Sequence, residues 1–412
     1  MTSAWGEENG KNKLKFRNLQ FIILVAWFIA CLIPISNDDG ISINYIFVFT
    51  PIIFLIYGYK LVRIPNLLAF YLIFLISIYI SSLISNDYPN KLFLRQLISF
   101  MVFISVLILT PFRIDNFISR AFYLAIILIS LLLSCISIFN QITYGSYVGV
   151  EEAKVLVGSQ RTGFIYLFAI GILLNEFDGS KINFAKKVIY SLSILIIMTG
   201  VIFTYSRTAI ISFGFALLFY CFNKLPLIKH ISISNVILIF LGLLMSIILL
   251  NTFDLNVLHF YNTGVIEMVL NGELSQRAKA ENTSEGIRMQ VWSLILDFSL
   301  LQLHPLTGNG FLGIWALDNT IGSAESQYFD VLFRIGILGF FFYAYLLYRI
   351  YNLLYQTKSP LLFGFVGSLI YGIFHETFKE SHGAFIFSFL LACLASSINV
   401  QTQKGLSKLE RV

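Results

Sequence analysis

The feature that most constrains this chain is the recurrence of unbroken apolar runs about as long as a bilayer is thick. Stretches such as YLIFLISIYISSLI at 71–84 and AIILISLLLSCISIF at 125–139 contain no charge. A hydrocarbon core of roughly 30 Å needs ~20 apolar residues per spanning helix. Runs of that order recur along nearly the whole chain. In lipid every backbone polar group must be satisfied internally, which leaves helices or a closed barrel. The runs are continuous and not alternating, so the barrel is excluded. With 57% hydrophobic and 12% charged residues and a mean hydropathy of +0.81, the 412-residue chain reads as an all-α polytopic membrane protein, a single integral domain over 1–412.

Twelve spanning helices are predicted, near 19–35, 41–58, 66–84, 95–111, 118–139, 162–176, 187–204, 208–222, 231–250, 326–348, 360–374 and 384–398. The basic start and apolar run of residues 1–35 resemble a signal peptide, but no small-residue cleavage pattern follows, so the run reads as a retained helix. Short cytoplasmic loops retain Lys and Arg. Placing both termini in the cytoplasm puts most of the 28 basic residues inside, among them Lys60, Arg63, Arg113, Lys186, Lys187 and Lys358. The net charge of +6 is then a topology signal and implies no nucleic-acid partner. Cys31, Cys135, Cys221 and Cys393 each fall inside an apolar run and read as small buried hydrophobes.

The segment 251–325 is the one long polar interval and is predicted as a large periplasmic loop between the ninth and tenth spans. Within it, 286–302 places Met289, Trp292, Ile295, Leu296 and Phe298 at helical spacing, as in a helix lying in the membrane interface. The following HPLTGNGF carries Pro305, Gly308 and Gly310. These allow backbone amides to approach a ligand closely, or simply reverse the chain. Three other segments share the outer face: 140–161 ending in SQRTGF, the YSRTA turn at 205–209, and HETFKESHG at 375–383.

Arg207 is the strongest single residue, because an ionisable group between two apolar runs is costly and functional by default. Either it snorkels or pairs with a carboxylate such as Glu376, or it joins Arg161 and Arg288 in binding a multiply charged anion, whose phosphate oxygens match guanidinium forks. Glu325 either takes a proton from a sugar hydroxyl or caps the helix beginning near 326. Asp330 is a polar contact at the mouth or pairs with Arg334 one turn on. Two histidines and two carboxylates in 375–383 lack HExxH spacing, and a solvated turn accounts for them, so no metal is expected.

Taken in order, RTGF, YSRTA, the outer loop with GIRMQVW and HPLTGNG, and a polar pair opening a helix that contains RIGILG resemble the bacterial O-antigen polymerase and ligase superfamily of membrane glycosyltransferases. The resemblance implies a twelve-helix C-type glycosyltransferase fold acting on undecaprenyl-diphosphate-linked glycans, donor and acceptor, at the periplasmic face of the inner membrane, without cofactor or nucleotide sugar. By the same resemblance Arg207 and Arg288 hold the donor diphosphate, with Arg161 assisting. The expected catalytic set is Glu325, Arg207 and Arg288, and Tyr205, Arg277, Tyr328, Asp330, His375 and Glu376 are supporting glycan contacts. Ligases of the superfamily resemble this chain in the loop but usually carry a histidine where SAESQY stands here, which favours a repeat-unit polymerase, with a chain-length regulator protein as a further partner. A ligase acting on lipid A-core and a lipid-linked glycan transporter are the competing expectations; few midplane charges and no internal repeat speak against the transporter.

Overall fold

A computed structural model describes residues 2–33, 44, 46–85, 108–144, 163–178, 183–203, 206–224, 284–296, 305–310, 324, 326–375, 377–378 and 381–409. Among these the chain is helical, with one isolated antiparallel bridge, Leu61 to Phe112, and no strand. The helices are α1 (Thr2–Leu32), α2 (Thr50–Ile56, entered through a 3-10 turn at Ile46–Phe49), α3 (Asn66–Ser85), α4 (Asn116–Tyr144), α5 (Gly163–Phe177) and α6 (Phe184–Phe203). They continue as α7 (Arg207–Lys224), α8 (Ser284–Leu296), α9 (Gln327–Gln356), α10 (Leu362–Phe374) and α11 (Ser381–Leu409).

Four of the described helices, at Asn116–Asn140, Phe184–Phe203, Gln327–Gln356 and Ser381–Asn399, are long and apolar enough to cross a membrane. Their outward surfaces agree with that reading. Phe184, Phe341, Phe139 and Leu192 are among their large apolar side chains left more than half exposed, a liability in water but the natural outer face in lipid. The span expected over 231–250 and most of that over 95–111 lie outside the described residues; the described end of the latter, 108–111, is a turn.

The span expected over 41–58 is shorter than predicted. Pro51 lies in the first turn of α2, where its missing N–H is harmless, and Tyr57–Gly58 ends the helix two turns later. Asn44 donates to the carbonyls of Ala30 and Ile33 at 2.8 and 2.6 Å, so it closes the end of α1 rather than starting a new helix.

The core is an aromatic knot. Phe28 of α1 meets Phe54 of α2, Phe122 of α4 and Phe385 and Phe389 of α11, with the Phe122 and Phe389 rings stacked at 3.7 Å. Around it α4 packs on α1, α5 and α6, while α10 packs on α5, α7 and α9. One end of the bundle is closed by pairing of the 59–65 and 108–115 loops: Val62 donates to the Pro111 carbonyl at 2.7 Å and Arg113 to that of Lys60 at 2.8 Å. These loops carry Lys60, Arg63 and Arg113, which the charge pattern assigns to one membrane side.

Candidate functional site

At the opposite end, the beginnings of α5, α7, α9 and α11 meet the end of α10. Ser206, immediately before α7, receives the Ala209 N–H on its hydroxyl at 3.2 Å, an N-cap. The same hydroxyl lies 3.4 Å from the hydroxyl of the fully buried Tyr371 on α10. Tyr371 packs against His375, ring centroids 4.9 Å apart, and its hydroxyl sits where a side chain on Gly163 at the start of α5 would collide. The His375 carbonyl accepts the Gln327 N–H that opens α9, at 3.2 Å. His382, in the first turn of α11, stacks on Phe164 at 5.3 Å. Several helix N-termini thus face one mouth, each bringing the positive end of its dipole.

Helix α8 forms part of the wall of this mouth. Its buried stripe is Val291 and Ile295 with half-buried Trp292; Trp292 stacks on Phe329 at 4.9 Å and donates from Nε1 to the Ala324 carbonyl at 3.0 Å. Arg288 precedes Val291, Trp292 and Ile295 by three, four and seven residues, so it lies on that same bundle-facing stripe. Its Nε is buried, and its guanidinium lies within electrostatic range of the Tyr371 hydroxyl. Of the apolar face expected through Met289, Trp292, Ile295, Leu296 and Phe298, Trp292 and Ile295 lie on the inward stripe, Met289 and Leu296 are exposed flanks, Phe298 lies outside the described residues, and the charged Arg288 joins the stripe.

Helix α9 is broken, where an uninterrupted span was expected. Gly336 adopts φ 65 and ψ −170, outside any helical conformation. The consequence is visible in Gln327, whose amide donates to the hydroxyl of Tyr343 while its Oε1 accepts the Phe378 N–H at 2.6 Å. Residues 327 and 343 would stand roughly 24 Å apart on a straight helix. Their contact requires the two halves to fold toward each other at Gly336. The second half, 337–356, is long enough alone to cross a core of roughly 30 Å, and the first half, 327–335, caps the mouth.

The Pro305–Gly310 turn fills the break. The Asn309 N–H donates to the Phe333 carbonyl at 2.8 Å, and the carbonyls of Pro305 and Leu306 accept from Ile337 and Leu338 at 2.9 and 3.2 Å. An intact helix would have sent the Ile337 N–H to Phe333. Gly308, at φ 78, and Gly336 press backbone to backbone, where a side chain on either would strike the other strand of chain. Gly308 thus serves a close approach, and the backbone it approaches is that of α9.

Among the expected site residues, Arg161, Tyr205, Arg277, Glu325 and Glu376 lie outside the described residues. Arg207 is the first residue of α7, directly after the serine that meets Tyr371, so the chain brings the start of α7 and the Arg288 side chain to the same tyrosine. Tyr328 donates from its hydroxyl to the Leu369 carbonyl at 2.7 Å. Asp330 is buried and both its oxygens accept from Arg334 Nε at 3.0 Å, the pairing that the sequence offered as an alternative to a glycan contact. The N-cap position of α9 belongs to Ser326, whose hydroxyl donates to the Gly372 carbonyl at 3.4 Å; Glu325 is one residue before it. Tyr371, Ser206 and Gln327 escaped sequence reasoning. Tyr371 sits inside an apolar run, and the one available signal was its placement a turn before His375 in YGIFH.

The fold and this mouth define a helical membrane protein whose one end gathers helix N-termini and an inward-facing arginine. Residues 192–344, from within α6 through α7, α8 and the docked turn into α9, match the family model described as O-antigen ligase. The match supports the O-antigen ligase and polymerase superfamily, a group of glycosyltransferase-like membrane enzymes, and covers both branches alike. Arg207, Arg288 and Glu325 fall within the matched stretch, and Arg161 precedes it. No curated protein matches the chain.

Proposed function

We propose that this protein joins undecaprenyl-diphosphate-linked oligosaccharide repeat units into O-antigen, capsule or a related surface polysaccharide. It would act at the periplasmic face of the inner membrane, with both termini cytoplasmic, twelve spans, a C-type glycosyltransferase fold and the 251–325 segment outside. The growing glycan on one lipid diphosphate is the donor, and a single lipid-linked unit is the acceptor. Because the bond to be broken already carries a diphosphate leaving group, the protein has three tasks: to orient two glycans, to stabilise the departing diphosphate, and to accept the proton of the acceptor hydroxyl.

The observation that carries this reading is the inward placement of Arg288 within electrostatic range of Tyr371, whose hydroxyl meets Ser206 just before Arg207 opens α7. Two guanidinium groups and the dipoles of several helices suit a diphosphate whose charge grows as the glycosidic bond breaks. Glu325, next to the Ser326 cap, is the carboxylate proposed to take the proton, and Arg161 is proposed to assist the diphosphate. The reaction calls on no metal or nucleotide sugar.

A ligase that transfers the finished polymer to lipid A-core is the second reading, favoured by the description of the matching family model. The residues around Ser326, where SAESQY stands in place of the ligase histidine, favour the polymerase. A polysaccharide gel of a deletion strain separates the two. Loss of the polymerase leaves single repeat units, whereas loss of a ligase leaves lipid-linked polymer.

A further inference from the structure

The break in α9 and the turn lodged in it do more than close the backbone. Two described pieces of chain between α7 and α9 dock on α9: α8 through Trp292 on Phe329 of the first half and on Ala324 before it, and the 305–310 turn across the break, on Phe333, Gly336, Ile337 and Leu338. Val291 and Ile295 of α8 form with Ala324 and Phe333 a small apolar cluster separate from the main core. The buried Asp330–Arg334 pair lies between the two docking points. Helix α8, the turn and residues 327–335 therefore make one roof over the mouth, and it joins the long second half of α9 at Gly336.

We infer that Gly308, Asn309 and Gly336 form a positioning clasp that sets the angle of this roof and thereby holds Arg288 opposite the start of α7. The inference rests on the proposed role of Arg288 only for its catalytic consequence; the clasp itself is a matter of geometry. Asn309 holds the Phe333 carbonyl twice, through its N–H at 2.8 Å and its Nδ2 at 3.3 Å. That carbonyl is the acceptor released by the break, and in lipid an unsatisfied backbone group is costly. Gly336 at positive φ is the one residue type that bends the chain here without a steric penalty, and Gly308 is the one that lets the turn approach it. None of the three touches Arg288 in the described contacts; they act on it through residues 327–335, on which Trp292 seats α8, and are positioning residues.

The test is a distance. In a cysteine-replaced chain, nitroxides at Met289→Cys on α8 and Ile211→Cys on α7, both exposed positions, report the roof against the bundle. The parent is expected to give one narrow distance distribution. Asn309→Asp sets a carboxylate against the Phe333 carbonyl and should broaden or shift the distribution more than Asn309→Ala, which removes only the Nδ2 bond. Gly336→Ala should shift it most. An unchanged distribution in Asn309→Asp and in Gly336→Ala overturns the clasp; if Gly336→Ala does not fold, Asn309→Asp decides alone. The same variants then enter a kinetic assay with lipid-linked repeat units, where the donor KM is expected to rise about tenfold or more while kcat changes less. A shifted distance with an unchanged KM leaves the clasp standing and overturns the reading of Arg288 as a diphosphate ligand.

Discussion

Two buried polar contacts decide how the mouth is held at the level of single residues. Asp330 and Arg334 are about 2% exposed and paired, so removing one partner leaves a charge with no water to solvate it. Asp330→Leu or Arg334→Met alone is expected to cost about 3–5 kcal/mol, and the two together considerably less than the sum. Thermal unfolding of the four proteins in detergent provides that cycle; additive losses would argue against the pair. Tyr371→Phe removes a long hydrogen bond to Ser206 and is expected to cost about 1 kcal/mol while leaving the aromatic packing intact. Its glycan extension should fall several-fold, because the tyrosine sits between Arg288 and the start of α7.

The elements were legible from the sequence wherever apolar length alone decides them. The predicted runs 118–139, 162–176, 187–204 and 208–222 coincide with α4 to α7, because a helix in lipid needs little beyond continuous apolar residues. The break in α9 was not legible. Gly336 sits in an apolar run that reads as helix on either side, and its partner turn lies in a distant polar segment. The face of α8 was legible only at Trp292 and Ile295, for a related reason: an arginine on the buried stripe spoils the amphipathic pattern that marks such a face. Trp292 is what seats that face. Trp292→Ala loses one aromatic stack and one hydrogen bond, together about 2–3 kcal/mol of docking. Hydrogen exchange should then quicken in α8 while α4, α5 and α10 stay protected; uniform quickening would mean that α8 belongs to the global fold.

Across the whole molecule, the two ends of the bundle divide the work. One end carries paired basic loops, and the other carries α8, the docked turn and the gathered helix starts. With a membrane-impermeant maleimide in a cysteine-replaced chain, Met289→Cys is expected to react from the periplasmic side, and Lys358→Cys only after the membrane is opened. The reverse pattern would invert the topology. The charge pattern led to the expectation of two unlike faces, and the order of outer motifs to the expectation that Arg207 and Arg288 share one of them. What it left out was Tyr371, whose hydroxyl meets Ser206 at the start of α7 within electrostatic range of Arg288, since a hydroxyl buried in an apolar run has no pattern of its own.

The central claim, that arginines at this mouth hold the departing diphosphate, is tested most directly with purified protein and lipid-linked repeat units, without lipid A-core. The wild type should extend the glycans. Arg288→Ala and Arg207→Ala, both retaining the parental melting behaviour, should each lose on the order of a hundredfold in rate, as expected for removal of a donor aimed at developing charge. Extension at the wild-type rate by either folded variant would contradict the account.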